Sequence, residues 1–386
     1  RKFARDGLRT GRIAGRESGS AADRLRDFGR RRGFEPSLDF SMENLGRARS
    51  FLVFDEALPV THPIVWVELH TALRHGAKVI LISPRELGFR RCASGWIKIG
   101  PEKQALLVHA LARLLLAGEN GEHTAALPGF ESYRSRIRRI DTAAAAAELG
   151  VAEDKLRRLG ALLEKKRPAA LLFGSASVAG PESEANLEAF WNFAALTNGA
   201  CIPLASSANE RGAMAVRDAL SGSSGEPGGE TEIRVLYSSG PAPAWEGKKP
   251  GFVIVQDSFS GPHLEAADIV LPQATFAESG GTFVNVEGRV QSSGPALAPL
   301  GESRPGWMIV RDLAAAMAIE GFDFADGTGA LSALAEAAPD FRLEEGGAGA
   351  DPVFAGAGTA KVRVFADAAA PSPPRRISAV PAAAGA

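Results

Sequence analysis

Residues 50–84 run strand, helix, strand, and that order constrains the fold more than any other feature of the chain. "SFLVFD" from Ser50 is an apolar run of strand length. "HPIVWVELHTALRHG" then places Val65, Leu69 and Leu73 on one helical face, with Pro63 in the first turn and Gly76 at the end. "AKVILISP" is a second strand, closed by Pro84. A strand–helix–strand unit of this length implies parallel strands and a right-handed crossover. The expected fold class is therefore α/β, with a mostly parallel sheet.

The same plan recurs downstream. A helix is expected over Pro101–Ala117, and an amphipathic one over Leu149–Lys165, interrupted at Gly150. "AALLFGS" opens a second unit. Its helix is "SEANLEAFWNFAALTNG", with Leu187, Phe190, Trp191 and Ala194 on one face and Gly199 as the stop. "CIPLASSANERGAMAVRDAL" reads as a polar loop and a short helix. Ser221–Glu230, "SGSSGEPGGE", lacks any apolar anchor and reads as a linker. Past it come strands in "EIRVLYSSG", "GFVIVQDS" and "ADIVLP", then a helix in "PGWMIVRDLAAAMAIEG". The expected organisation is a first α/β domain over 1–222, a second over 223–340, and a flexible Ala/Gly/Pro-rich tail over 341–386, in which "AKVRVFAD" is strand-like.

A chain of 386 residues can bury two cores. Its formal net charge of −1 gives no general case for nucleic-acid binding. No run of eighteen apolar residues occurs, so no direct membrane insertion is expected. Cys92 and Cys201 are expected to be unpaired in a reducing compartment, and two thiols cannot hold a four-thiolate cluster or a structural zinc. The histidines show no metal-ligand spacing, so no metal site is expected. The chain opens on Arg1 rather than Met, as a piece of a longer polypeptide would. Arg24, Arg26, Arg30, Arg31 and Arg32 form either a solvated helix face or a docking surface for an acidic partner or a cofactor phosphate.

Chemistry is expected at strand ends, because open parallel sheets bind ligands there. In "ADIVLPQATFAESGGTFVNVEGRVQ", Ile269, Val270 and Leu271 read as a buried strand stopped by Pro272. The loop beyond it carries Glu278, Gly281, Thr282, Asn285, Glu287 and Arg289 among apolar residues. Gly240 comes just after one strand, Gln256 and Asp257 end another, and Asn209 and Gly212 lie in a polar turn before a helix. Neither a G-x-G-x-x-G fingerprint nor a P-loop occurs.

In order along the chain, "RARSFLVFDEALPVTHPIV", "GAKVILISPR", "LTNG", "SANERGA", "VLYSSGPAP", "VIVQDSFSGPHLEAADIVLPQATFAESGGTFVNVEGRVQ" and "PGWMIVRDLA" resemble the molybdopterin oxidoreductase family. The resemblance covers roughly residues 1–340, and 253–291 is its most specific part. It implies two doubly wound domains of the formate dehydrogenase type. In the family these are preceded by iron–sulfur modules and usually followed by a β-barrel domain, both expected to lie outside this chain.

Three departures bear on activity. Ser18 stands where active relatives place a metal-ligating cysteine or selenocysteine, with Gly19 at the neighbouring histidine. Ser83-Pro84-Arg85 replaces a strand end that usually reads Asp-Pro-Arg. "FDEALP" brings Asp55 to a turn where relatives place a pyrophosphate. "VEGRVQ" and the opening "RKFARDGLRTGR" resemble the branch containing the large iron–sulfur subunit of NADH-quinone oxidoreductase, respiratory complex I.

Two readings come from the resemblance. In the first, the chain is a non-catalytic scaffold that binds no cofactor itself. It passes no electrons of its own, and 2Fe-2S and 4Fe-4S clusters sit in the preceding part. Its partners are other subunits of a membrane-associated respiratory complex on the cytoplasmic side of the inner membrane. Glu278, Asn285 and Glu287 are then internal acceptors and Arg289 their donor. In the second, the chain is a formate dehydrogenase-type enzyme. Molybdopterin guanine dinucleotide would be bound by Asn209, Gly212, Gly240, Gln256, Asp257, Gly281, Thr282 and Asn285.

Overall fold

The structure is a computed structural model that describes residues 3–4, 19–34, 42–54, 58–85, 92–117, 127–219, 235–240, 250–286 and 290–337. It divides into two compact units. The five-stranded unit comprises the described residues within Leu25–Pro36 and Leu45–Ile202. The three-stranded unit comprises Arg1–Arg24, Ser37–Asn44 and Pro203–Thr359.

The helices in chain order begin with α1 (Ala21–Arg31), α2 (Met42–Arg47), α3 (Leu58–Thr61) and α4 (Pro63–Arg74). Then come α5 (Gln104–Leu115), α6 (Phe130–Arg138), α7 (Thr142–Leu149) and α8 (Glu153–Lys165). The last four are α9 (Ser183–Leu196), α10 (Glu210–Ala219), α11 (Gly306–Ala316) and α12 (Gly327–Ala337).

In the five-stranded unit, β1 (Ser50–Phe54), β2 (Lys78–Ile82), β3 (Gly95–Ile97), β4 (Ala169–Phe173) and β5 (Ala200–Pro203) lie in the order β3-β2-β1-β4-β5. β1 runs parallel to β2 and β4, with Leu52 opposite Ile80 and Leu171. The chain order reverses between β1 and β4, which makes their carboxyl ends a switch point. Every residue of β1 and β4 is buried, as expected of strands covered on both faces. Phe190 of α9 packs between Phe54 and Phe173, with ring centroids 4.4 and 5.1 Å away. β3 is one edge, and the Lys155 ammonium donates to the Trp96 carbonyl at 2.7 Å, covering an edge acceptor.

The sequence pattern locates β1, α4, β2, β4 and α9 well, because each carries its own stop signal. Pro63 sits in the first turn of α4, and Gly76 takes φ 86° beyond its end. The short strands β3 and β5 have no such signal, and the pattern singles out neither. The interruption expected at Gly150 is where α7 ends, with Gly150 at φ 67° as its cap, and α8 starts afresh at Glu153.

In the three-stranded unit, β6 (Val235–Ser239), β7 (Phe252–Asp257) and β8 (Ile269–Pro272) are parallel neighbours in that order. Val253 and Val255 face its core. The expectation of a buried strand at Ile269–Leu271 is corrected. β8 is one edge of the sheet, with β7 on one side only, and Ile269 and Val270 are 43% and 44% exposed. The loop expected after it is partly a hairpin. β9 (Gly281–Val284) pairs antiparallel with β10 (Val290–Ser293), Val284 opposite Val290. Phe3, Ala314 and Phe322 form a small satellite core, against which Val310, Leu313, Ile319 and Phe324 pack.

The boundary expected at residue 222 and the tail over 341–386 lie outside the described residues. The units themselves part between Ile202 and Pro203, ahead of the linker. The reason is that α10 is tied to β9: the Asn209 side chain bridges two backbone groups of that strand.

Two consequences are measurable. A Cβ on Gly199 would overlap the Ala169 carbonyl oxygen, which is fixed in the central sheet. Gly199→Ala is expected to cost about 1–3 kcal/mol, seen as a lower urea midpoint. The second concerns His109, largely enclosed on α5. Burial first, and then the Arg136 guanidinium, lower its pKa to about 4. The folded imidazole then binds fewer protons than the unfolded one. Stability is full above pH 6.5 and falls as pH drops toward about 4, by about 3 kcal/mol. His109→Gln should flatten that segment of a melting-temperature profile against pH.

Candidate functional site

Parallel pairing brings the carboxyl ends of β6, β7 and β8 side by side, with Ser239 opposite Gln256 and Asp257 opposite Pro272. Gln256, 2% exposed, lies in the middle of this edge. Its Oε1 accepts from the Tyr237 hydroxyl, and its Nε2 donates to Gln273 Oε1. The Ser239 hydroxyl lies 3.5 Å from the same Gln273 oxygen. Burial pushes the Tyr237 hydroxyl up to about 12, so it stays protonated and donates. The result is a side-chain ladder, Tyr237 to Gln256 to Gln273, across three strand ends.

Asp257 is also committed. Oδ1 accepts from the backbone N–H groups of Ser258 at 2.6 Å and Phe259 at 3.1 Å. Oδ2 lies 2.9 Å from His263 Nε2. Together these close the turn after β7. Gly240 takes φ 95°, a conformation that favours glycine, and its N–H donates to the Gln256 carbonyl at 2.7 Å. The space where its Cβ would stand is open.

A second group forms around the N-terminus of α10. Asn209 Nδ2 donates to the Thr282 carbonyl at 3.2 Å, and its Oδ1 accepts from Val284 N–H at 2.8 Å. Gly212 lets this contact form, because a Cβ there would press on Asn209 Oδ1 and the Val284 methyl. Gly281 and Thr282 pair with Ser293 and Ser292 in the hairpin. Asn285 is half-buried just beyond β9. Glu210 Oε2 accepts from the Ser206 N–H and hydroxyl at 2.6 and 2.7 Å.

Glu278 turns to its own segment. Its Oε2 accepts from Thr275 N–H at 2.8 Å and the Thr275 hydroxyl at 3.0 Å. The backbone bond from Thr275, then the hydroxyl bond, hold its carboxyl below the usual range. Ser18, Glu287 and Arg289 lie outside the described residues.

Besides Ser83, the five-stranded unit has strand-end groups that the sequence pattern does not single out. At the β1/β4 switch point the Ser177 hydroxyl donates to the Phe54 carbonyl at 3.4 Å. Asn186 Nδ2 donates to the carbonyls of Ser177 at 2.9 Å and Pro101 at 3.0 Å. The neighbouring Ser175 hydroxyl is enclosed, with no hydrogen-bond partner among the described residues. "GSAS" directly after a buried strand is the available signal. Ser83, at the end of β2, accepts from the Trp96 indole at 3.1 Å and donates to the Arg85 carbonyl at 2.7 Å.

Cys92 and Cys201 are both free, and burial raises the Cys201 thiol far above its usual range. Among the described residues no cluster of His, Cys, Asp and Glu is placed to hold a metal ion. No described helix is long and apolar enough to cross a membrane.

Residues 13–316 match the family model for molybdopterin oxidoreductase. The NADPH-Fe(3+) oxidoreductase subunit alpha of Geobacter sulfurreducens is 26% identical over 291 residues, covering 64% of this chain and 34% of that protein. The F420-dependent formate dehydrogenase 2 subunit alpha of Methanococcus maripaludis is 39% identical over 95 residues, 24% of this chain and 14% of that one. Among solved structures, acetylene hydratase from Pelobacter acetylenicus superposes with a TM-score of 0.58 at 14% identity, covering 81% of this chain and 56% of that one. The chain thus spans about a third of the length of the Geobacter relative. It belongs to the molybdopterin oxidoreductase family, and its α/β fold with parallel sheets agrees with that membership.

The family's cofactor can be tested against these side chains. Asn209, Gln256 and Asp257 each spend both side-chain functional atoms inside the three-stranded unit. As placed, these side chains would have to leave those bonds to contact a pterin, and of the candidate glycines Gly240 has open space where a Cβ would stand. Asn209→Ala strands the Val284 N–H and the Thr282 carbonyl. It is expected to destabilise the chain by about 1–3 kcal/mol, measured by urea unfolding without added ligand.

Proposed function

We propose that this chain is the α/β portion of a subunit of a multi-subunit electron-transfer oxidoreductase, in which it acts as scaffold. The observation that carries the reading is the inward commitment of Asn209, Gln256 and Asp257, the polar side chains nominated as cofactor contacts. A strand end whose donors and acceptors already serve one another is built for stability in the absence of a ligand. The Geobacter relative's name, an oxidoreductase subunit alpha, supports the general form.

The finer assignment is to the large iron–sulfur subunit of NADH-quinone oxidoreductase, peripheral to the inner membrane on its cytoplasmic face. It rests on the "VEGRVQ" segment and the opening residues. In this reading iron–sulfur clusters bound elsewhere in the polypeptide carry the electrons. The α/β portion shields them and docks neighbouring subunits.

A second reading is a bis-pterin enzyme of the formate dehydrogenase type, favoured by the 39% identity to the Methanococcus subunit over 95 residues. The cofactor would supply two-electron oxidation of a small substrate. This chain would bind it through the Gly240 backbone, with Asn209, Gln256 and Asp257 turned outward.

Elemental analysis of the full-length protein, purified from its own cells, separates the two. The scaffold reading expects iron in quantity with molybdenum and tungsten far below one atom per chain. Either metal at one atom per chain would overturn it.

A further inference from the structure

Two arginine-rich stretches about a hundred residues apart, Arg30–Arg32 and Arg134–Arg139, converge in the five-stranded unit. The meeting point is a pair of glutamates on α9. Arg31 bonds Glu184 at 2.7 Å, and Arg32 reaches Glu184 at 3.1 Å and Glu188 at 3.3 Å. Arg136 of α6 pairs with the same Glu188, which is only 12% exposed. Two carboxylates are therefore shared among three guanidiniums.

Beyond them the charge is unbalanced. Arg134 is met by Glu131 at 3.0 Å. Arg138 and Arg139, at the end of α6, are exposed and have no ion-pair partner among the described residues. Arg138 lies one turn beyond Arg134, and Arg139 one turn beyond Arg136, so the arginines form two rows at the end of α6. The excess is felt inside as well, since Arg136 is one cause of the low His109 pKa.

A solvated helix end explains part of this, because cations suit a helix C-terminus. It does not explain why a second arginine stretch is bonded onto the same two glutamates. Arginine is the side chain whose fork matches carboxylates in pairs. The whole chain carries a formal charge of −1, so it lacks the broad basic footprint along which a long polyanion such as nucleic acid binds. A compact acidic face would meet the patch alone.

We propose that the arginine surface formed by the ends of α1 and α6 docks a compact acidic protein face on a neighbouring subunit, with Arg138 and Arg139 as the unspent pairing groups. This rests on the reading of the chain as one subunit of a larger oxidoreductase.

The test compares Arg138→Glu/Arg139→Glu with a control of equal charge change, Arg74→Glu/Arg158→Glu, both of whose sites are exposed elsewhere on the same unit. In one arm the assembly is isolated from its own cells by a tag on the full chain and sized at low and high salt. The wild type and control should retain their partners at low salt, and the Arg138/Arg139 variant should lose them with its melting temperature unchanged. In the other arm, fluorescein-labelled poly-L-glutamate and a short DNA duplex are titrated onto the full chain. Poly-L-glutamate binding should weaken about tenfold in the Arg138/Arg139 variant alone and fall with added salt.

Retention of partners by that variant, or equal weakening in both variants, overturns the proposal. So does DNA binding tighter than poly-L-glutamate binding and lost in the same variant. A wild type that carries no partners, yet binds poly-L-glutamate through Arg138 and Arg139, overturns the subunit reading instead. Arg138→Gln/Arg139→Gln replaces the charge reversal if the latter fails to fold.

Discussion

Parallel strands deliver their last carbonyls and side chains to a common edge, and each polar group there must be paired with protein, water or ligand. In the three-stranded unit the groups pair with one another. Tyr237, Gln256 and Gln273 span three strand ends, Asp257 closes the turn beyond β7, and Asn209 binds the β9 backbone. The turn conformations, the attachment of the hairpin and the capacity to bind anything at this edge all depend on that internal pairing. The five-stranded unit treats its own edge similarly, with Ser177 and Asn186 tying the switch point to the start of α5, where Ala105 N–H donates to Asn186 Oδ1 at 2.9 Å.

Elements with an internal period and a stop are readable from sequence. α4 carries Pro63 and Gly76, and β1 and β4 are continuous apolar runs. β3 and β5 are not readable, because three or four residues give no period and their pairing is set by distant strands. β8 misleads for a related reason. Apolar content marks a strand but does not say how many neighbours it has, and Ile269 and Val270 lie at an edge.

The candidate site shows the same limit. Gln256, Asp257 and Gly240 do stand at carboxyl ends, as the strand pattern requires. Which way their side chains turn depends on Tyr237, Gln273 and His263, contacts that no spacing rule announces. The linker is instructive as well. Its composition marks where the chain can bend, yet the compact units part earlier, because Asn209 and Arg211 at the start of α10 bond the segment before the linker to the hairpin segment beyond it. The convergence of Arg32 and Arg136 on Glu188 is likewise a tertiary fact, carried by side chains far apart in sequence.

These bonds also set a scale for ligand competition. A pterin nucleotide that used Asn209 and Gln256 would first have to break four hydrogen bonds, two from each. At a net of about 1 kcal/mol each, the cost is about 4 kcal/mol, roughly a thousandfold in affinity. The ligand could offset that only by bringing matching donors and acceptors to both the displaced side chains and the backbone they abandon. The Val284 N–H and the Thr282 carbonyl would need new partners too, since both belong to the strand that Asn209 holds. A catalytic relative avoids the competition if such side chains wait on a ligand. Here they are occupied in advance, and the fold's own cohesion is what a cofactor would have to displace.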